Sequence, residues 1–173
     1  MIESKFQEIA TKVNGIYKIN DAKYNGGRSG VIPVTEHLLR VEYKSNIIDV
    51  KYEFGNTNVA QIVSTFQCKQ ILTPFQLSTK SHFGRLFSKN KSPWKVKCND
   101  KDVKFLIERL LNTTGLKQMA EERAFEPELI GTESGQKYTL KTKFYLGFDH
   151  KEESLLPMIN FYKMIIDYVS SLK

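Results

Sequence analysis

The most constraining feature of this chain is a pair of segments, on either side of Ser45-Asn46, in which apolar and polar residues alternate. The apolar positions are Leu39, Val41, Tyr43, Ile48, Val50, Tyr52 and Phe54. Alternation with a period of two is typical of antiparallel strands that bury one face. The two segments therefore predict a β-hairpin, and with it a fold that contains an antiparallel sheet.

A two-residue turn at Ser45-Asn46 fixes the register of the predicted hairpin. The opposing pairs are then Tyr43 with Ile48, Val41 with Val50, and Leu39 with Tyr52. Each apolar residue faces another apolar residue, so the turn and the pattern agree on one register. The same register makes Arg40–Asp49 and Glu42–Lys51 diagonal pairs of opposite charge.

The N-terminal segment has the spacing of an amphipathic helix. Its apolar residues are Ile2, Phe6, Ile9, Val13 and Ile16, three or four residues apart, which places them on one helical face. Gly15 lies where such a helix can end. The Asn, Gly and Ser residues that follow predict a loop over residues 20–37.

The rest of the chain predicts further strands and helices in alternation. Residues 58–68 fit a helix face, but their Val, Ile and Thr content favours a strand. The further elements are strands at Phe75–Ser81 and Trp94–Cys98, a helix from a cap at Asn99 or Asp100 to Gly115, a short helix at Leu116–Glu122, a turn at Thr132–Gly135, a strand at Tyr138–Phe148 and a helix that starts near Ser154 with Pro157 in its first turn.

This order predicts an α+β fold, with a mostly antiparallel sheet and N-terminal, middle and C-terminal amphipathic helices packed on it. At 173 residues the chain has the length of one domain, residues 1–173. Two cysteines, Cys68 and Cys98, fit a reducing compartment. The N-terminus lacks the apolar stretch of a signal peptide, and no segment has the roughly 20 apolar residues of a spanning helix. We therefore expect a soluble cytoplasmic protein with no transmembrane segment.

The positive charge of the chain is concentrated in one stretch. The formal net charge is +7, and no acidic residue occurs between Glu53 and Asp100. Within that stretch, residues 80–97 form a basic and aromatic segment. Its candidate anion-binding residues are Lys80, Arg85, Lys89, Lys91, Trp94, Lys95 and Lys97.

Three interpretations of residues 80–97 stay open. Cations interleaved with Phe83, Phe87 and Trp94 are typical of surfaces that hold single-stranded nucleic acid, with phosphates on the cations and bases on the rings. An anionic membrane surface selects a similar mixture. The segment also fits a hairpin whose rings face the core and whose lysines are solvated. Lys137, Lys141 and Lys143 extend the basic surface if their strand is adjacent.

The residues that could perform catalysis are sparse and dispersed. His37, His82 and His150 lie far apart, and no metal-binding or cofactor-binding motif includes them. His82 could meet the two cysteines as a thiol–imidazole pair, but inert buried thiols are favoured. The Gly-rich stretch 25–30 does not precede a helix, as a phosphate-binding loop does.

Carboxylates cluster at residues 121–128 and at Glu152-Glu153, where turns and helix ends favour solvated surface. No catalytic residue, metal site or cofactor is therefore predicted. We expect a non-catalytic binding or interaction module, with a protein partner as one class of ligand. The alternatives are binding of nucleic acid or another polyanion through residues 80–97, and, more weakly, an enzyme whose site assembles only in three dimensions.

Overall fold

The computed structural model describes residues 2–25, 30–67, 72–80 and 92–171. Their elements in chain order are α1 (Ile2–Val13), β1 (Ile16–Asn25), β2 (Val31–Tyr43), β3 (Asn46–Phe54), β4 (Val59–Gln67), β5 (Phe75–Thr79), β6 (Trp94–Cys98), α2 (Lys101–Thr113), α3 (Leu116–Glu122), β7 (Glu128–Ser134), β8 (Lys137–Tyr145), a 3₁₀ turn (Lys151–Ser154) and α4 (Leu155–Ser171).

The strands form one eight-stranded sheet in the order β1-β2-β3-β4-β8-β7-β5-β6, and every neighbouring pair is antiparallel. One face of the sheet shares a hydrophobic core with the apolar sides of α1, α2, α3 and α4. On the opposite face most side chains are exposed or half-exposed. The predicted α+β fold with helices packed on an antiparallel sheet is confirmed, and the open face of that sheet is where a ligand can approach.

The predicted β2–β3 hairpin exists, but its turn lies one residue earlier than expected. Lys44 and Ser45 occupy the turn with φ of 48° and 62°, and Tyr43 lies opposite Asn46. Two successive residues with positive φ form the type I′ turn that matches the twist of a hairpin. The side-chain amide of Asn46 donates to the carbonyl oxygen of Lys44 at 2.8 Å, which ties the turn together.

Because of this turn, the predicted register is wrong by two residues. Arg40 and Asp49 are directly opposite rather than diagonal, with a 2.7 Å hydrogen bond from Nε to Oδ1. Glu42 lies opposite Ile47, so the expected Glu42–Lys51 pair is absent from the register. A slip of two residues keeps every side chain on its face, so the apolar pattern alone could not distinguish the two registers.

The predicted loop over residues 20–37 is wrong, because most of it is strand. β1 and β2 pair from Ile16–Arg40 to Asn25–Val31 without interruption. The Gly-rich stretch at residues 26–29 lies outside the described residues. Ile16 also begins β1 instead of ending the first helix, since Asn14 adopts a left-handed conformation with φ of 54° and stops α1 at Val13.

The remaining predictions are mostly confirmed. Residues 59–67 are a strand, as their composition favoured, and Asp100 caps α2 by accepting from the backbone N–H groups of Asp102 and Val103. The helix Leu116–Glu122 and the strand Trp94–Cys98 have the expected bounds. β7 is a second strand, after β1, that was not predicted, and it includes most of the expected 132–135 turn. β8 ends at Tyr145, three residues earlier than predicted.

Candidate nucleic-acid interface

The seven candidate residues of the basic segment do not share one environment. Lys95 and Lys97 are exposed and lie on the outward side of β6. Lys80 is half-buried, and its backbone N–H donates to the carbonyl oxygen of Pro93 at 2.7 Å. Arg85, Lys89 and Lys91 lie outside the described residues.

Trp94 belongs to the core and not to the surface. Its side chain is 4% exposed, and its ring meets that of Phe125 edge to face with centroids 6.5 Å apart. Its indole nitrogen is buried without a hydrogen-bond partner among the described residues. A ring in this position cannot stack on a base. The alternation in β6 indicates the same placement. Trp94 is on the side of the strand that carries Val96 and Cys98, whereas Lys95 and Lys97 are on the opposite side.

The cationic surface is instead built from two strands of the sheet. Lys137, Lys141 and Lys143 on β8 are exposed and point outward, as Lys95 and Lys97 do on β6. We call these five residues the lysine face.

Two strands, β7 and β5, separate β8 from β6. The cross-strand pairs Lys141–Ile130, Ile130–Gln76 and Gln76–Lys97 form one row across four strands. At roughly 4.8 Å between strands, the ends of this row lie about 14 Å apart. β8 is therefore not adjacent to β6, as the predicted extension of the basic surface required, and its lysines share with those of β6 only the open face of the sheet.

The lysine face has little acidic charge beside it. None of its five lysines forms a salt bridge with any residue that the structure describes. Glu128 on β7 lies opposite Lys143 and is the acidic residue placed among them. Glu126 joins Glu128 and Lys143 in lining a cavity of about 460 Å³ at this end of the sheet. These two glutamates set one boundary of the positive surface.

Tyr145 supplies an exposed ring beside the lysines. It ends β8 on the same parity as Lys141 and Lys143, and its side chain is 71% exposed. Along a strand, residues two apart are separated by about 6.7 Å, so the charges and the ring follow one another at a regular interval. The sequence carried this signal too, since Tyr145 alternates with the apolar residues of its strand.

The other half of the open face has a different character. Ile16, Leu38 and Val63 contribute to a hollow of about 540 Å³ between β1 and β4. Two of its three cations, Arg40 and Lys51, are paired, unlike those of the lysine face, while Lys18 forms no salt bridge with a described residue. Arg40 binds Asp49, and this hydrogen bond raises the pKa of the Arg40 guanidinium.

Lys51, on the rim of the same hollow, is paired as well. Its Nζ lies 3.1 Å from a carboxylate oxygen of both Glu36 and Glu53. A hydrogen bond from Asn20 and a second from Lys51 lower the pKa of Glu36, so its carboxylate stays ionised. The hollow is therefore an apolar surface rimmed by ion pairs, and it is suited to apolar contact more than to an anion.

Of the residues considered for catalysis, those that the structure describes are not brought together. His37 is buried, and its Nδ1 lies 2.6 Å from the hydroxyl of Tyr17, while His150 sits in the exposed turn before Lys151. Burial lowers the pKa of His37 and raises that of Tyr17 to about 12, so both are neutral near pH 7. His82 and Cys68 lie outside the described residues.

Glu153 of the second carboxylate cluster is paired, and Cys98 is the thiol that the structure describes. Glu153 binds Arg123 at 2.6 Å, and this hydrogen bond lowers the pKa of the glutamate. Cys98 is a free, half-buried thiol beside the core. Among residues 2–25, 30–67, 72–80 and 92–171, no group of three His, Cys, Asp or Glu side chains is placed to hold a metal ion.

Comparisons with protein-family models, with curated proteins and with solved structures find no match to this chain. In the part of the chain that the structure describes, no helix has the length and apolar character needed to cross a bilayer. Function must therefore be inferred from the surface itself.

Proposed function

We propose that this chain is a non-catalytic binding module that holds single-stranded nucleic acid on the lysine face. The observation that supports this most is the presentation of five exposed lysines on one side of the sheet without a described carboxylate partner. Unpaired cations in such an arrangement create a positive potential to which a polyanion is drawn. Binding then releases counterions from the phosphates.

The geometry favours a single strand over a duplex. The lysines lie on the open face of the sheet, where Lys141 and Lys143 are about 6.7 Å apart along β8, an interval similar to that between phosphates of an extended strand. A ring as exposed as Tyr145 offers a base a surface for stacking, a contact that contributes about 1–3 kcal/mol per base in known complexes. A duplex keeps its bases stacked inside, where this ring cannot reach them.

The test is a titration of a fluorescently labelled oligothymidylate with the protein, followed by anisotropy at several salt concentrations. A labelled ligand is preferable to intrinsic fluorescence because Trp94 is buried. We compare the double variant K141E/K143E with K101E/K104E, whose substituted lysines are exposed on α2. Each variant lowers the formal net charge from +7 to +3, so net charge is matched and only position differs.

The expected result is saturable binding that K141E/K143E weakens at least tenfold and K101E/K104E leaves nearly unchanged. Each lost phosphate contact reduces the slope of log K against log salt by about 0.7, so the face variant should lose about 1.4 from that slope. A Tyr145→Ala variant should weaken binding with no change in slope, because stacking displaces no counterions.

Two results would contradict the proposal. Equal loss of affinity in both double variants would mean that net charge alone attracts the oligonucleotide. Binding to vesicles that contain phosphatidylserine, without binding to the oligonucleotide, would assign the lysine face to an anionic membrane surface instead.

A further inference from the structure

The two edges of the sheet are protected to very different degrees. β6, at one end, has five residues, of which Lys95 and Lys97 are exposed. Short strands and lysines are common means by which proteins prevent edge-to-edge pairing. β1, at the other end, has ten residues, and no other strand in the described part of the chain pairs with its outer side.

The unprotected edge also exposes apolar side chains. Ile16, Ile19 and Tyr24 are 58%, 41% and 48% exposed. A long edge strand with unpaired backbone groups and exposed apolar residues is a template for another strand. Lys18 and Lys23 are the cations on this edge, and Asp21 lies between them, so the edge is not uniformly charged.

We propose that a second copy of the chain pairs with this edge, β1 against β1 in antiparallel orientation, to form a two-fold symmetric dimer with a continuous sheet. A symmetric pairing keeps the open faces on the same side, so residues opposite each other must have the same parity and one residue lies opposite its own copy. That condition leaves few registers to compare.

Charge and the length of the pairing select among those registers. Centring the pair on Lys18 or on Asp21 places identical charges directly opposite, which is destabilising. Centring it on Ile19 or on Ala22 avoids like charges but pairs only residues 16–22 or 19–25 of β1, whereas centring it on Asn20 pairs residues 16–24 with no like charges opposite. In that register Ile16 lies opposite Tyr24, and Tyr17 lies opposite Lys23.

The same register explains the apolar surface beside the edge. Tyr24 of one copy lies next to Ile16 of the other copy. Ile16 in turn lines the hollow together with Leu38 and Val63. Ile32 lies beside Tyr24 on β2, so an apolar row crosses the interface on the open face. Two-fold symmetry produces this row twice, and the second copy thereby covers side chains that are exposed in the monomer.

The first test measures mass against concentration by sedimentation equilibrium and by light scattering. We expect the parent chain to approach twice its monomer mass of 20.0 kDa as concentration rises. Ile16→Lys and Tyr24→Lys should weaken association at least tenfold. Phe105→Lys is the matched control, because Phe105 is 68% exposed on α2 and lies far from the edge in sequence and fold.

The second test reads the register by oxidative cross-linking. Across the Asn20 axis the two Cα atoms lie about 4.5–5.5 Å apart, within the range of a disulfide. Lys18 and its copy lie about 13.6 Å apart in this register, as do Ala22 and its copy. Asn20→Cys should therefore cross-link, and Lys18→Cys and Ala22→Cys should not. The unsubstituted chain is the control for cross-links that form through its own cysteines, Cys68 and Cys98.

Each outcome bears on the proposal. A monomer at every concentration up to the millimolar range would overturn it, and so would a dimer that Ile16→Lys and Tyr24→Lys leave intact. Cross-linking at Ala22→Cys or Lys18→Cys in place of Asn20→Cys would refute the register. The oligonucleotide titration is independent of these results, since the lysine face lies at the other end of the sheet.

Discussion

Tyr162 connects α4 to the middle of the sheet through one hydroxyl group. The residue is fully buried, and its hydroxyl donates to the carbonyl oxygen of Ile62 on β4 at 2.9 Å. Since that bond uses the only proton of the phenol, the hydroxyl of Thr142, 2.8 Å away on β8, must be the donor to it. Burial raises the pKa of Tyr162, so the phenol stays protonated in the neutral range.

Removing this hydroxyl should destabilise the fold by a predictable amount. Tyr162→Phe leaves the hydroxyl of Thr142 buried without an acceptor, and such a group costs about 1–3 kcal/mol. Thr142→Val removes the hydroxyl that Tyr162→Phe would leave without an acceptor, and valine has nearly the same shape as threonine. When both partners become apolar, the penalty largely disappears. The double variant should therefore be more stable than the sum of the single variants predicts, by about 0.5–3 kcal/mol.

The assay is urea unfolding followed by circular dichroism, with thermal unfolding as a check. For a chain of this length about 1 kcal/mol corresponds to about 2–4 °C in Tm, so Tyr162→Phe should lower Tm by roughly 2–12 °C. The oligonucleotide affinity at 25 °C should not change, because Lys141 and Lys143 remain on the opposite side of β8. Strict additivity of the two single variants would refute the assigned hydrogen-bond chain.

Two further predictions follow from buried positions. Gly131→Ala should destabilise the fold by about 1–3 kcal/mol, because an added Cβ would clash with the Tyr138 hydroxyl. Gly147→Ala, with open space around it, should be neutral or slightly stabilising in the same unfolding assay. Burial lowers the pKa of His37 from 6.5, so below that pH the unfolded chain binds a proton that the folded chain does not. The free energy of unfolding should therefore decrease as the pH is lowered. His37→Gln should flatten that decline in urea midpoints measured between pH 7 and 5, and an unchanged slope would exclude His37 as its source.

Local patterns predicted those elements whose two faces differ strongly in burial. β8 and β3 alternate between buried and exposed residues along most of their length, and the sequence shows both. β1 was missed because it is an edge strand, with exposed or half-exposed residues on both faces and hence no alternation. β7 was missed because Gly131, a residue that disfavours strands, occupies its core face where Tyr138 and Phe75 leave no room for a side chain.

The candidate site depends on pairings that no local pattern contains. The lysines of β6 and β8 were visible in the sequence, but their common face depends on β7 lying between β5 and β8. Trp94 shows the converse, because the composition of its segment made it a candidate for anion binding, whereas the hairpin interpretation and the parity of its strand place its ring in the core, where the structure has it. Parity within a strand was therefore a better guide to exposure than the density of charges nearby.

The order of the strands in the sheet also determines at which stage of folding the lysine face can form. β1 to β4 are joined by short connections and follow one another in space, so this meander can assemble from local contacts. β6 and β8 are connected through β5 and β7, which pair residues between 52 and 56 positions apart, and closing so long a loop slows the step that creates the pairing. The lysines of β6 and β8 meet only after that closure. During refolding, the recovery of oligonucleotide binding should therefore lag behind the recovery of sheet structure, and ligand capture would report the last stage of folding.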